Sequence, residues 1–224
     1  FVSGQLDLAE LESSRAELAE ADLRALRAQI SPHFIYNSLG AIASYIRTDP
    51  EHARELVLEF ADFTRYSFRR HGEFTTLAEE LKSIEHYLTL EQARFGGRLG
   101  VTLRIAPEVL GVVVPFLCLQ PLVENAVQHG MEGQPGGGQI TIVAEDVGNE
   151  AHLSIEDDGA GMDPQTLRDQ LGGAHGDRVG LANVDERLRT TFGEEYGLVV
   201  ETAVGAGSKV SLRVPKFHPG VYVA

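Results

Sequence analysis

Near residue 100 the hydrophobic pattern of this chain changes from a helical period to a period of two. That change rules out an all-helical or an all-β fold. Upstream, apolar residues recur at coiled-coil spacing at Ala19, Leu23, Leu26 and Ile30, and again at Ile35, Leu39, Ile42 and Ile46. Downstream, segments 101–105, 139–145, 151–157, 198–203 and 208–214 alternate apolar and polar residues or are rich in β-branched ones. Apolar helical stretches at 115–129, 164–171 and 181–192 separate them. The pattern predicts an α+β chain: an N-terminal helical hairpin forming a dimeric four-helix bundle, followed by an α/β sandwich with a mixed sheet and helices on one face.

The helical half has readable punctuation. Residues 5–47 read as one long helix, and the seam changes phase between Ile30 and Ile35. Pro32 lies inside that step, where its missing N–H predicts a kink beside His33. Asp49-Pro50 begins a helix from 50 to about 70, with Ala53, Leu56, Val57, Phe60 and Phe63 on one stripe and Gly72 as its stop. Thr76-Leu77-Ala78-Glu79 is a capping box for a third helix ending at Gly96-Gly97, with Leu77, Leu81, Ile84 and Leu88 on its buried face. A two-helix hairpin cannot bury both apolar stripes by itself, so a homodimer is expected.

Composition narrows function by exclusion. The net charge of -14 argues against a nucleic-acid surface, which needs clustered Lys and Arg. The single cysteine, Cys118, sits in the apolar run PFLCLQPLV and reads as a small buried hydrophobe, consistent with a reducing cytoplasm. No run of 18 apolar residues occurs, and the chain begins at Phe1, so it reads as part of a longer protein.

Four short segments carry chemistry. In LVENAVQHG (122–130), the polar residues Glu124, Asn125, Gln128 and His129 interrupt an apolar helix, with Asn125, Gln128 and His129 on adjoining parts of one face. They form either a ligand site or a solvated stripe. In EDDGAGMD (156–163), Asp157 ends a strand and can accept from an exocyclic amine, while Gly159 and Gly161 allow a tight turn. In RVGLANVDERL (178–188), Gly180 precedes a helix whose N-terminal amides suit phosphate. Gly205-Ala206-Gly207-Ser208 forms a turn before the last strand.

Together these segments resemble the four nucleotide-binding boxes of the GHKL ATPases. The stretch Gln29-Ile30-Ser31-Pro32-His33-Phe34-Ile35-Tyr36-Asn37-Ser38-Leu39 resembles the phosphoacceptor motif of LytS-like sensor histidine kinases, as do Glu79-Glu80-Leu81, Tyr87-Leu88 and Arg94-Phe95. The resemblance implies a kinase core that uses Mg-ATP to phosphorylate His33 and then passes the phosphoryl group to a response-regulator aspartate. It implies that Asn125 holds Mg²⁺, that Asp157 binds the adenine amine, and that Gly159 and Gly161 admit the nucleotide. Gly180, Leu181 and Asn183 would lie near the phosphates, His129 would face the nucleotide, and 172–180 would form a lid. The implied division is a signalling coiled coil at 1–23, dimerisation and phosphoacceptor helices at 24–96, an ATP-binding domain at 97–216 and a tail at 217–224. The expected partners are a second copy, a response regulator and an upstream, membrane-embedded sensor outside this sequence. The chain would be the cytoplasmic portion of a membrane-anchored protein.

Gln29 and Asn37 flank His33 one helical turn away on either side, and are expected to orient its ring. Phe34 stands where many sensor kinases have a carboxylate, which leaves Glu124 as a candidate proton acceptor. Two departures from the superfamily stand out. Pro121 replaces the residue four before Asn125, often Asn or Glu, and Arg178 replaces a lid glycine. Two further readings therefore stay open: an ATP-hydrolysing GHKL module used as a clamp, and a dimeric scaffold with a degenerate nucleotide site.

Overall fold

The computed structural model describes residues 31–68, 73–131, 136–163 and 179–223. The stretch before Ser31, with Gln29, and Gly72, the helix expected at 164–171, Arg178 and nearly all of the expected lid lie outside these residues. The single helix expected over 5–47 with a kink at Pro32 is not observed: Ser31 is extended, with ψ 122, and a helix begins at Pro32.

Helix α1 runs Pro32–Tyr45, with Pro32 in its first turn and Ser31 at the cap. Proline is well placed there, because the first amides of a helix have no intrahelical acceptor. A short turn leads to α2 (Pro50–Phe68), whose amide at His52 donates to the Asp49 carboxylate at 3.1 Å. The Asp49-Pro50 start read from sequence is therefore present. Helix α3 (Leu77–Phe95) is capped by Thr76, whose hydroxyl accepts from the Glu79 amide. Its first two amides, at Leu77 and Ala78, donate to the carbonyls of Val112 and Leu110.

Helix α3 does more than the sequence suggested. It packs against both α1 and α2, and takes over part of the burial expected from a second copy. Phe34 of α1 meets Phe63 of α2 at 4.9 Å between ring centroids and Tyr87 of α3 at 5.0 Å. Ile42, Ala53, Leu56 and Phe63 are buried in the same layer. Leu39, Ile46 and Val57, from the same predicted stripes, stay about half exposed.

Two three-residue strands that no alternation could announce, β1 (Phe74–Thr76) and β3 (Val113–Pro115), pair antiparallel. The main sheet contains β2 (Leu99–Ile105), β4 (Gly138–Val147), β5 (Glu150–Asp157), β6 (Val199–Thr202) and β7 (Ser208–Pro215), in the order β2-β4-β5-β7-β6. Only the β2–β4 pair is parallel, so the sheet is mixed as expected. Ile140, Ile142 and Ala144 of β4, with Ala151, Leu153 and Ile155 of β5, are buried at every second position. That face is covered by α4 (Gln120–Met131) and α5 (Val179–Phe192), which touch each other. The helix expected from 115 starts instead at Gln120. Pro115 to Leu119 form a turn, in which Leu117 has φ 55. Cys118 is fully buried there, as the sequence implied.

Candidate functional site

The strand β5 delivers Asp157 to its C-terminal end, where the carboxylate is 5% exposed. Asp157 Oδ1 accepts from the Gly159 amide at 3.0 Å. Burial pushes its pKa upward, opposed by the Gly159 and Ser208 amides and by the nearby His129. A buried carboxylate held by backbone donors, with acceptor capacity left over, is built to receive another donor.

The C-terminal half of α4 closes against this point. A Cβ at Gly159 would run into the His129 carbonyl and Gly130, so the loop after β5 lies directly on the helix end. Gly161, at φ 59, approaches the carbonyls of Ala203 and Gly207 so closely that no side chain fits. Both glycines therefore have an internal reason to be glycine. Asn125 stands one turn before His129 and is half-buried. His129, Asp157 and the glycine loop thus lie together, with Asn125 one helical turn earlier on α4.

The start of α5 joins the site from the side. The Cα of Gly180 packs so near Pro121 that a Cβ would lie 3.3 Å from the proline ring. Pro121 thus provides a packing surface where the superfamily often has a polar residue. Leu181 is buried in the core, and Asn183 is exposed on the outer side of α5.

His33 is exposed at the start of α1. The Asn37 amide nitrogen lies 3.0 Å from its Nδ1 and 3.3 Å from its Nε2. Asn37 thus does hold the ring edge from one turn along. Phe34, the next residue, leads inward to Tyr87, which feels the charges of Glu91 and Glu124.

That leads to Gln120 and Glu91, which the sequence reading passed over, and to the surroundings of Glu124, which it named. Gln120 donates to Glu124 at 2.8 Å, and its own Oε1 is buried with no partner among the described residues. Burial pushes the Glu124 carboxyl up to about 6, Gln120 opposes this, and Glu91 adds to it. Glu91 is 2% exposed and pairs with Arg94 at 3.0 Å. Glu80 is also buried. The signal was present: Glu80, Tyr87 and Glu91 fall on the apolar stripe of α3, where an acidic residue must find donors or partners.

Among the described residues no group of three His, Cys, Asp or Glu side chains could hold a metal. A hard divalent ion could use the Asn125 amide oxygen if a phosphate-bearing ligand supplied further oxygens, a coordination that suits Mg²⁺. The residues present fit that arrangement. Among the described residues no helix is long and apolar enough to cross a membrane.

Comparison with known proteins agrees with both halves. The histidine kinase family profile matches residues 21–99. The family of histidine kinase-, DNA gyrase B-, and HSP90-like ATPases matches residues 114–218, which implies ATP binding. The chain is 36% identical over 217 residues to the sensor histidine kinase YpdA of Escherichia coli (strain K12), covering 96% of this chain and 38% of YpdA. It is 33% identical over 220 residues to the sensor protein LytS of Bacillus anthracis, covering 96% of this chain and 37% of LytS. The protein YwpD of Bacillus subtilis (strain 168) is 35% identical over 217 residues, covering 96% of this chain and 77% of YwpD. The nucleotide-free catalytic domain of histidine kinase ThkA shares the fold at a TM-score of 0.50 and 18% identity, covering 66% of this chain and 98% of that one. Both profiles and the likeness to LytS and other sensor histidine kinases along nearly all of its length show that this chain belongs to the LytS-like sensor histidine kinases and carries their kinase core.

Proposed function

We propose that this chain binds Mg-ATP at Asn125, His129 and Asp157 and transfers the γ-phosphoryl group to His33, from which it passes to an aspartate of a response regulator. The observation that carries this reading is the buried Asp157 carboxylate beside the C-terminal end of α4, in one molecule with an exposed histidine at a helix start. Asp157 accepts from the adenine amine. The Gly159 and Gly161 loop and the start of α5 at Gly180 flank the nucleotide, with Leu181 supporting them from the core. Asn183, exposed on α5, is assigned to the phosphates. Asn125 would hold Mg²⁺ through its side-chain oxygen, and the ion would supply positive charge to offset that on the leaving group.

A neutral imidazole has a lone pair at ordinary intracellular pH. The Asn37 amide nitrogen, 3.0 Å from Nδ1, holds the ring edge as a donor. The ring nitrogen that carries the free lone pair forms its bond to the γ-phosphorus as the bond to the bridging oxygen breaks, and ADP leaves. The ring then sheds the proton of its other nitrogen. Glu124, raised to about 6 by burial, is the carboxylate we assign to receive it when the nucleotide site closes on the helices. Gln29, four residues before His33 in sequence, is assigned to orienting the ring with Asn37.

The half-exposed apolar residues Leu39, Ile46, Val57, Leu58 and Phe68, with Tyr36 at 76% exposure, support a homodimer built on α1 and α2. The test is incubation with γ-labelled ATP. Label that is acid-labile and base-stable should appear on the wild type and be absent from His33→Gln and Asn125→Ala. Equal labelling of His33→Gln would refute the reading.

A further inference from the structure

Glu80 is 1% exposed on α3 and holds together three pieces of chain. Its Oε1 accepts from the Tyr66 hydroxyl at 2.8 Å and from the Leu117 amide at 2.6 Å. Its Oε2 accepts from the Leu119 amide at 3.2 Å. The charge of Arg187 on α5 acts on it as well. Tyr66 on α2 also lays its ring against Phe116, at 5.3 Å between centroids. The bundle helix α2 and the turn before α4 therefore meet twice at one place.

That turn determines where α4 begins. Leu117 is held at φ 55, a backbone region that a branched residue rarely adopts and keeps only when its surroundings enforce it. The Leu119 carbonyl accepts from the amides of Leu122 and Val123, which opens the helix. Both amides bound by Glu80 lie in this turn, and Asn125 follows less than two helical turns later. A rigid helix carries any shift or rotation of its start along to its later residues. Taking a carboxylate out of water is costly, and several donors must converge to offset it. Here they converge on the start of the helix that bears Asn125.

We propose that Glu80 is a positioning residue that sets Asn125 for the divalent cation of bound nucleotide, and that Tyr66 couples the packing of α2 to the cation-dependent part of ATP affinity. This rests on the assignment of Asn125 made under the proposed function. Glu80→Gln replaces one accepting oxygen by an NH₂ group, which leaves one backbone amide of the turn without an acceptor. Tyr66→Phe removes a single donor and keeps the ring contact.

The test is calorimetric titration of the whole chain with ATP, once with Mg²⁺ and once with a chelator. The wild type should bind more tightly with Mg²⁺. Glu80→Gln should lose about fivefold or more of that gain, and Tyr66→Phe about two- to threefold, while affinity in chelator stays within about twofold. A lower melting temperature with the Mg²⁺ gain intact in both variants means a purely structural role and overturns the proposal. Should Glu80→Gln fail to fold, an unchanged gain in Tyr66→Phe overturns it alone. A gain kept by both variants and lost in Asn125→Ala defeats this proposal only. A wild type with no gain defeats the assignment of Asn125 as well.

Discussion

Asp157 and Glu124 are both buried carboxylates raised above their ordinary range, yet their surroundings give them different tasks. Asp157 is fixed by the Gly159 amide beside the end of α4, and its spare acceptor capacity is what we assign to a donor ligand. Asp157→Asn should weaken ATP binding in chelator by about tenfold or more, because a charged acceptor is lost at a desolvated site; calorimetry checks this. Glu124 is held by Gln120 and crowded by Glu91. Its pKa in the folded state, about 6, lies above the ordinary 4.5, so the fold favours its neutral form. The corresponding stabilisation is fully present below pH 4.5 and is lost as pH rises through about 6. Glu124→Gln should therefore be more stable than the wild type at pH 7.5 by up to about 2 kcal/mol, with the difference vanishing below pH 4.5 in denaturant titrations. If Glu124 receives the proton from His33, the same variant should label slowly, and wild-type labelling should rise as pH passes about 6.

At the scale of elements, α3 is the hub. Its apolar stripe buries residues of α1 and α2, its first amides are satisfied by the 110–112 loop, and Glu80 reaches the start of α4. Phe63 is fully buried between α1 and α3. Phe63→Ala should cost about 3–5 kcal/mol by urea unfolding, from lost transfer energy and the cavity left behind. Thr76→Ala removes the oxygen that accepts the Glu79 amide and should cost about 1 kcal/mol in the same assay. A larger loss at Thr76 than at Phe63 would show that α3 depends on its cap more than on its packing.

At the scale of the whole molecule, one continuous buried cluster runs from Phe34 through Tyr87 and Leu122 to Leu212. Helices and sheet thus share a core, and a change in helix packing can reach the sheet side without a flexible joint between them. Tyr36, Leu39, Val57, Leu58 and Phe68, all left outside that core, lie on α1 and α2. Leu39→Glu and Val57→Glu should leave helix content unchanged and halve the mass measured by light scattering. A wild type that is already monomeric at micromolar concentration would remove the basis for the homodimer.

Period and punctuation determined much of this protein from sequence alone. The cap at Asp49, the capping threonine at Thr76 and the five main strands could all be read without coordinates, because each depends on neighbours along the chain. Three features could not be read that way. The strands β1 and β3 are too short to show alternation, and exist only because they pair with each other. Helix α4 starts five residues later than its apolar run suggests, because the Leu117 turn is imposed by a carboxylate far upstream in the chain. The apolar stripe of α2 is divided between α3 and the outside, a division that periodicity cannot make, since it marks which face is apolar but not which partner covers it. Local propensity and pattern act over a few residues, whereas these three outcomes depend on contacts between segments far apart in sequence, which only tertiary packing decides.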